Sequence, residues 1–487
     1  MLDDFARRFL RRRTVAEMRR EATGTELRRT LGWIQLVALG VGAIVGAGIF
    51  VIIGDAAARL AGPAVALSFL VVALASAIVA FAYAELASMI PVGGSGYGYA
   101  LTALGELPAW LVGWFLILAY LIGNGAIAAG FSANVKSLFL AAAPPLDPAR
   151  SRLLDLLTAA PPAGIADVPA ALVVLAITFL IARPAAESIG AATVIVVAKA
   201  LVLLVFVAAA VPSMDGENFR PFFPYGTGGV LAGAAVAFFA FLGFDTVSTA
   251  AEEVRDPARD LPRGIIGSLV VTAVLYVVVA LAMTGAVDYT RLGTADPLAE
   301  VMRLTGRPAL AIVMNLGGVL ATVTVLIAFQ FGGARVVLNL ARDGFIPGQL
   351  ARVSARTGTP LVTTYAVGLV VAVAAAFLPL QVLVDVTNIA TLLAFAAVLA
   401  CVVVLRRREP EAPRPFRMPL VPWLPLVGIA LLLTILATVR APGTWFGFLA
   451  WVGLGLLIYG AYRAPRTRDA REVPSDDVRA RPPEGGS

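Results

Sequence analysis

Gly40-Val-Gly42-Ala-Ile-Val-Gly46-Ala-Gly48-Ile-Phe50 places four glycines within nine residues of a stretch otherwise apolar enough to cross a bilayer. Its counterpart, Phe238-Phe239-Ala240-Phe241-Leu242-Gly243-Phe244-Asp245, carries a glycine and a carboxylate inside a second such stretch. Glycine costs helix stability, and lipid tolerates loose backbone only where it lines a protein cavity. Both stretches therefore read as helices that stop and restart within the membrane. Such a pair, in matching halves of a chain, points to the binding site of a secondary transporter. Close helix packing at small residues is the plain alternative. A second interruption in register with the first weighs against it.

The rest of the composition agrees with a polytopic membrane protein. Of 487 residues 59% are hydrophobic and 14% charged, with a mean hydropathy of +0.88, far from a soluble composition. One cysteine, Cys401, excludes a disulfide framework within the chain, and the lack of histidine removes the commonest general base and metal ligand. Neither an enzyme nor a cofactor or metal site is expected. A net charge of +7 would suit nucleic acid, but the basic residues fall in short segments between apolar stretches, where they set membrane orientation. Nucleic acid is not an expected partner. Residues 1–30, arginine-rich throughout, lack the apolar core and small-residue cleavage site of a signal peptide.

About 20 apolar residues cross a bilayer at ~1.5 Å each. That predicts twelve spans, at 33–59, 63–90, 107–140, 167–183, 187–211, 228–252, 264–287, 308–340, 361–378, 381–405, 422–439 and 443–462. The expected fold is an all-α integral membrane protein: a basic leader (1–32), a transporter domain (33–462) and a disordered cytoplasmic tail (463–487). Interruptions in spans 1 and 6 imply a 5+5 inverted repeat, residues 33–211 and 228–405, with two appended helices at 422–462. With the N-terminus inside, 28 lysines and arginines fall on the cytoplasmic side against eight outside, and Lys136 and Lys199 lie within spans. This bias places both termini in the cytoplasm of a multi-pass plasma-membrane protein.

At a mid-membrane break, the restarting half-helix points free N–H groups and a positive dipole end into the cavity. In span 1 that half begins near Gly48, so the amides of Gly46, Ala47 and Gly48 are placed to hold a carboxylate. Carbonyls released near Ala43 and Ile44, and in span 6 near Phe239, Ala240 and Leu242, can accept from an ammonium. One pair of breaks thus suits a zwitterionic amino acid.

Lys199, near the middle of span 5, is one of two lysines in a chain with 36 arginines. A charged lysine at mid-bilayer costs roughly 3 kcal/mol or more, so it must face protein or water. A lysine that gains and loses a proton as its cavity opens is a coupling device. Snorkelling is the bland alternative, expected rather of Lys136. Asp245 either exchanges a proton or caps the second half of span 6. Thr322 and Thr324 in span 8 either bond their own helix carbonyls or meet Lys199. At the cytoplasmic end of span 6, Glu252 and Glu253, with Arg255, Asp256, Arg259, Asp260 and Arg263, read as solvated loop charge or as ion pairs that close an inner gate, and Arg335, Arg342 and Asp343 at the end of span 8 could supply partners. The run Pro91-Val-Gly-Gly-Ser-Gly-Tyr97-Gly-Tyr99 is too rich in glycine for a helix and reads as a re-entrant or interfacial loop.

These motifs resemble the amino acid–polyamine–organocation superfamily, and within it the cationic amino acid transporter group. The resemblance covers Leu27 to Tyr462 and is carried by Gly42–Phe50, Pro91–Tyr99, Phe238–Glu253, Asp256-Pro-Ala-Arg-Asp-Leu-Pro262, Lys199 and Arg342-Asp-Gly-Phe-Ile-Pro347. It implies alternating access, amino acid uptake and proton coupling, with Lys199 bridging spans 1, 5 and 8 where sodium-coupled relatives hold Na⁺. By position, Gly46, Ala47 and Gly48 take the substrate carboxylate, the carbonyls of Phe239, Ala240 and Leu242 its amine, and Phe239 or Phe241 forms an aromatic gate. Three departures stand out. Ala47 replaces a frequent hydroxyl residue, Phe241 a usual tyrosine, and Ala119 a span 3 glutamate of the cationic group. Without that acid, a neutral amino acid is expected, small apolar ones included. Proton symport leads, with exchange of two amino acids open at the same site. A carrier of cationic amino acids or polyamines would want more pocket acids. A channel would need a repeated filter, and a nutrient sensor a larger soluble extension. The expected partners are an amino acid, a proton and the lipid bilayer.

Overall fold

The computed structural model describes residues 12–18, 29, 31–91, 95–142, 148–183, 188–354, 359–439 and 442–469. Most of the leader, and the tail beyond Asp469, lie outside the described residues. Among the described residues the chain is helical, with two isolated bridges. Eight apolar helical segments of 18 residues or more, together with four shorter ones of 12–17, account for the twelve expected spans.

Span 1 runs Trp33–Ile44, breaks over Val45–Ala47, and resumes in wide π turns at Gly48–Ile52 and Ala56–Ala61. Span 6 runs Gly226–Ala237, tightens into a 3-10 turn at Phe238–Phe241, and opens at Leu242, whose backbone is extended at ψ 142. Beyond the break only Thr246–Thr249 is α-helical. The reason is local. The hydroxyls of Thr246, Ser248 and Thr249 donate back to the carbonyls of Gly243, Asp245 and Thr246, competing with the α ladder. The unbroken spans are Val65–Met89, Glu106–Ala142, Val168–Ile181, Ser188–Ala210, Pro257–Ala286, Pro308–Arg342, Leu361–Phe377, Leu380–Arg408, Trp423–Leu436 and Pro442–Asp469.

Their packing is symmetric under exchange of the two halves. Span 2 packs on 7, span 3 on 8 and span 4 on 9. Span 1 lies on 7 as span 6 lies on 2, and span 3 on 10 as span 8 on 5. An inverted five-helix repeat gives this pattern. Span 5 shows how lipid sorts its faces. Val194, Val197, Leu201 and Leu204 are 53–68% exposed, while Lys199, Leu203 and Phe206 are fully buried on the opposite side. The 3.6-residue period therefore turns the lysine away from lipid.

Three boundaries differ from the sequence reading. The glycine-rich run is not all loop: residues 92–94 lie outside the described residues, but Ser95–Ala103 is a buried helix. Packing overrides propensity there, since Gly96 sits where a Cβ would meet Tyr83 and Val398 at 3.1 Å. Span 7 begins at Pro257, with Pro262 inside the helix rather than at its start. The last helix continues to Asp469, past the expected start of a disordered tail.

Candidate functional site

The two breaks touch. A Cβ on Gly48 would lie 2.3 Å from Ala240 Cα, and Gly243, at φ +117°, sits where a Cβ would be 2.6 Å from the Ala43 carbonyl oxygen. Only glycine allows both the approach and that backbone angle. All nine expected substrate residues, Ala43, Ile44, Gly46, Ala47, Gly48, Phe239, Ala240, Phe241 and Leu242, are buried in this junction.

Buried backbone groups need partners, so the carbonyls released by span 1 can be followed one at a time. Val41 O still accepts from Val45 N at 3.0 Å. Lys199 Nζ donates to Gly42 O at 2.6 Å and to Val45 O at 2.8 Å, and to Thr324 Oγ1 at 3.0 Å. The lysine therefore bridges spans 1, 5 and 8, and its ammonium satisfies two orphan carbonyls with charge-assisted bonds. Ile44 O accepts from Tyr276 Oη at 3.0 Å. Ala43 O faces Gly243 across the junction.

Some expected residues take other parts. Thr322 donates to Gly318 O at 2.8 Å along its own helix and is not a partner of Lys199. Thr324 does both, reaching Ala321 O at 2.8 Å as well as the lysine. Asp245 stands at the N-cap of Thr246–Thr249, yet its Oδ2 accepts from Tyr120 Oη of span 3 at 2.9 Å. Ile44, expected to receive the substrate amine, already holds a hydroxyl. Phe239 O accepts from Leu242 N at 3.3 Å, within the 3-10 turn. Lys136 reaches the protein surface, where it pairs with Asp155 at 2.7 Å.

Tyr276 was not visible in the sequence as a site residue. Nothing near it marks a break, and a tyrosine in an apolar span reads as packing. It stands edge-on to Phe241 (centroids 5.3 Å apart) and Phe69 (5.7 Å), so it connects the released carbonyl of span 1 to the aromatic turn of span 6. Tyr276→Phe keeps the rings and removes one hydrogen bond, worth ~0.5–1.5 kcal/mol. We expect the substrate KM to rise roughly 2- to 12-fold with maximal rate little changed; uptake kinetics in proteoliposomes check this.

Both ends of the bundle are latched by ion pairs. At the N-terminal end, Arg335 bonds Glu253 at 3.3 Å and Thr249 O at 3.2 Å, as the gate reading expected, while Glu252's side chain lies outside the described residues. Asp343 accepts from Arg13 at 2.7 Å and Tyr97 Oη at 2.6 Å. Glu85, 1% exposed and missed in the sequence, pairs bidentately with Arg406 and accepts from Met418 N. At the other end, Asp296 gathers Ser137, Asn315 and Arg303.

A family profile described as "Amino acid permease" matches residues 31–459. The chain is 38% identical over 456 residues to the "Methylthioribose transporter" of Bacillus subtilis (strain 168), covering 93% of this chain and 97% of that protein. It is 39% identical over 460 residues to the "Branched-chain amino acid permease BcaP" of the same strain, again covering 93% and 97%. Similarity to "Cationic amino acid transporter 4, vacuolar" of Arabidopsis thaliana is 36% over 394 residues, 79% of this chain and 64% of that one.

Proposed function

As a member of the amino acid permease family this chain is a multi-pass membrane transporter rather than an enzyme, and we propose that it carries a neutral, small apolar amino acid together with a proton by alternating access. The observation that carries the coupling is the Lys199 ammonium held on Gly42 O, Val45 O and Thr324 Oγ1. A fixed cation there occupies the place a sodium ion would need, and only a proton can change its charge. Release of that proton weakens two charge-assisted bonds on the broken helix, which links protonation to the closure of span 1. The amides of Gly46, Ala47 and Gly48 receive the substrate carboxylate, and Ala43 O with the carbonyls of span 6 its amine. Ile44 O stays with Tyr276 Oη, which holds the shape of the break that receives the substrate.

Two features support a neutral side chain. Span 3 presents Ala119 where a cationic substrate would call for an acid, and Asp245, the acid at the span 6 break, is engaged by Tyr120. Similarity to a branched-chain amino acid permease supports an apolar one. Methylthioribose is the second candidate ligand, at nearly equal identity to its transporter. The test is uptake into proteoliposomes of purified protein, after thermal-shift screening of the twenty amino acids and methylthioribose. We expect stabilisation by small apolar amino acids and uptake driven by an inward pH gradient, unchanged when K⁺ replaces Na⁺. Sodium-dependent uptake would overturn the coupling. Stabilisation by methylthioribose alone would overturn the substrate.

A further inference from the structure

Outside the transport path, a groove of about 930 Å³ opens at the N-terminal end of the bundle. Its floor is apolar, formed by Pro262, Ile266 and Phe416, with Trp33 at the first turn of span 1 standing over it, 46% exposed. Its rim is basic. Arg259 and Arg263 lie one turn apart on span 7, both exposed, and among the described residues neither has an acid within ion-pair distance. Phe416 is fixed by stacking on Phe81, with ring planes 12° apart.

The same face continues into the membrane. From Ile266 the four-residue spacing leads to Val270 and Val274, which are 55% and 61% exposed. One stripe of a single helix therefore carries two guanidinium groups, then the groove, then bare valines. From Arg263 to Val274 the rise is about 16 Å, close to the depth of one leaflet. An interfacial tryptophan marks the headgroup level.

We propose that this groove binds an anionic phospholipid, its phosphate between Arg259 and Arg263 and an acyl chain along Ile266, Val270 and Val274. Charge selects the occupant. The arginine-rich leader of this chain would be repelled by the two guanidinium groups, whereas a phosphodiester accepts from both. Trp33 and Phe416 cover the glycerol region.

The test uses full-length protein in nanodiscs doped with brominated phosphatidylglycerol or brominated phosphatidylcholine. Trp33 emission is isolated as the difference from Trp33→Phe. We expect quenching of Trp33 at roughly tenfold lower content of the anionic lipid. Arg259→Gln/Arg263→Gln should erase that preference, and Arg259→Lys/Arg263→Lys should retain most of it. The control Arg352→Gln/Arg407→Gln removes the same charge from exposed positions at the same end of the bundle and should leave it intact. Equal quenching by the two lipids, or equal loss in the control, would reduce the groove to general electrostatics and overturn the proposal. Failure of either lipid to quench Trp33 would place protein in the groove, whether the leader or a second copy, and overturn it too.

Discussion

Lys199→Ala is expected to abolish pH-gradient-driven accumulation while leaving one-for-one exchange measurable. The side chain is fully buried, and its Nζ satisfies Gly42 O and Val45 O at 2.6 and 2.8 Å. Alanine leaves both carbonyls unpaired in a dry interior, at about 1–3 kcal/mol for each. It also removes the group whose charge can change. Exchange needs only that the loaded transporter reorient, so it survives if span 1 still closes on substrate. Accumulation needs the loaded transporter to bring in a proton that the empty return does not carry back, and without Lys199 it falls to the level seen without a gradient. Labelled uptake with and without an imposed gradient, beside counterflow on the same preparation, separates the two. A Lys199→Ala protein that accumulates normally would falsify the coupling role. Thr324→Val should show a smaller loss, since it removes one of the lysine's three partners, and Thr322→Val little, since that hydroxyl serves its own helix.

Gly48→Ala is the second large effect. Its Cβ would fall 2.3 Å from the Cα of Ala240, a contact with backbone that no rotamer change relieves. Overpacking of this kind costs about 1–3 kcal/mol, which lowers the population of the closed junction by roughly 5- to 150-fold. Initial uptake rates should fall accordingly, with thermal stabilisation by substrate weakened in step. Gly453→Ala in span 12 is the control, since a Cβ there has nothing within 4 Å, and it should transport at the normal rate. Normal transport by Gly48→Ala would mean that the two breaks need not meet.

The paired interruptions and the buried lysine were legible in the sequence for one reason. Each is a residue type that lipid penalises, so its presence demands a protein cavity. The partners of those residues were not legible. Tyr276 and Glu85 act through groups on other helices, and a tyrosine or a glutamate inside a span carries no mark of which carbonyl or guanidinium it will meet. The helix at Ser95–Ala103 escaped for the opposite reason: its glycines argue against a helix locally, and only neighbours such as Tyr83 and Val398 reward one. Asp245 stands at the start of the resumed helix without a side-chain bond that caps it, and its partner Tyr120 comes from a distant span and could not be read.

Leu31, just ahead of span 1, accepts from Arg255 N at 2.9 Å and donates to Glu253 O at 3.0 Å, just past the end of span 6. The two interrupted helices are thereby yoked at one extremity as well as pressed together at their breaks. Neither can swing outward there without dragging its mate. The pair must tilt as a single lever, and whatever grips the cargo on one arm is felt at once on the other.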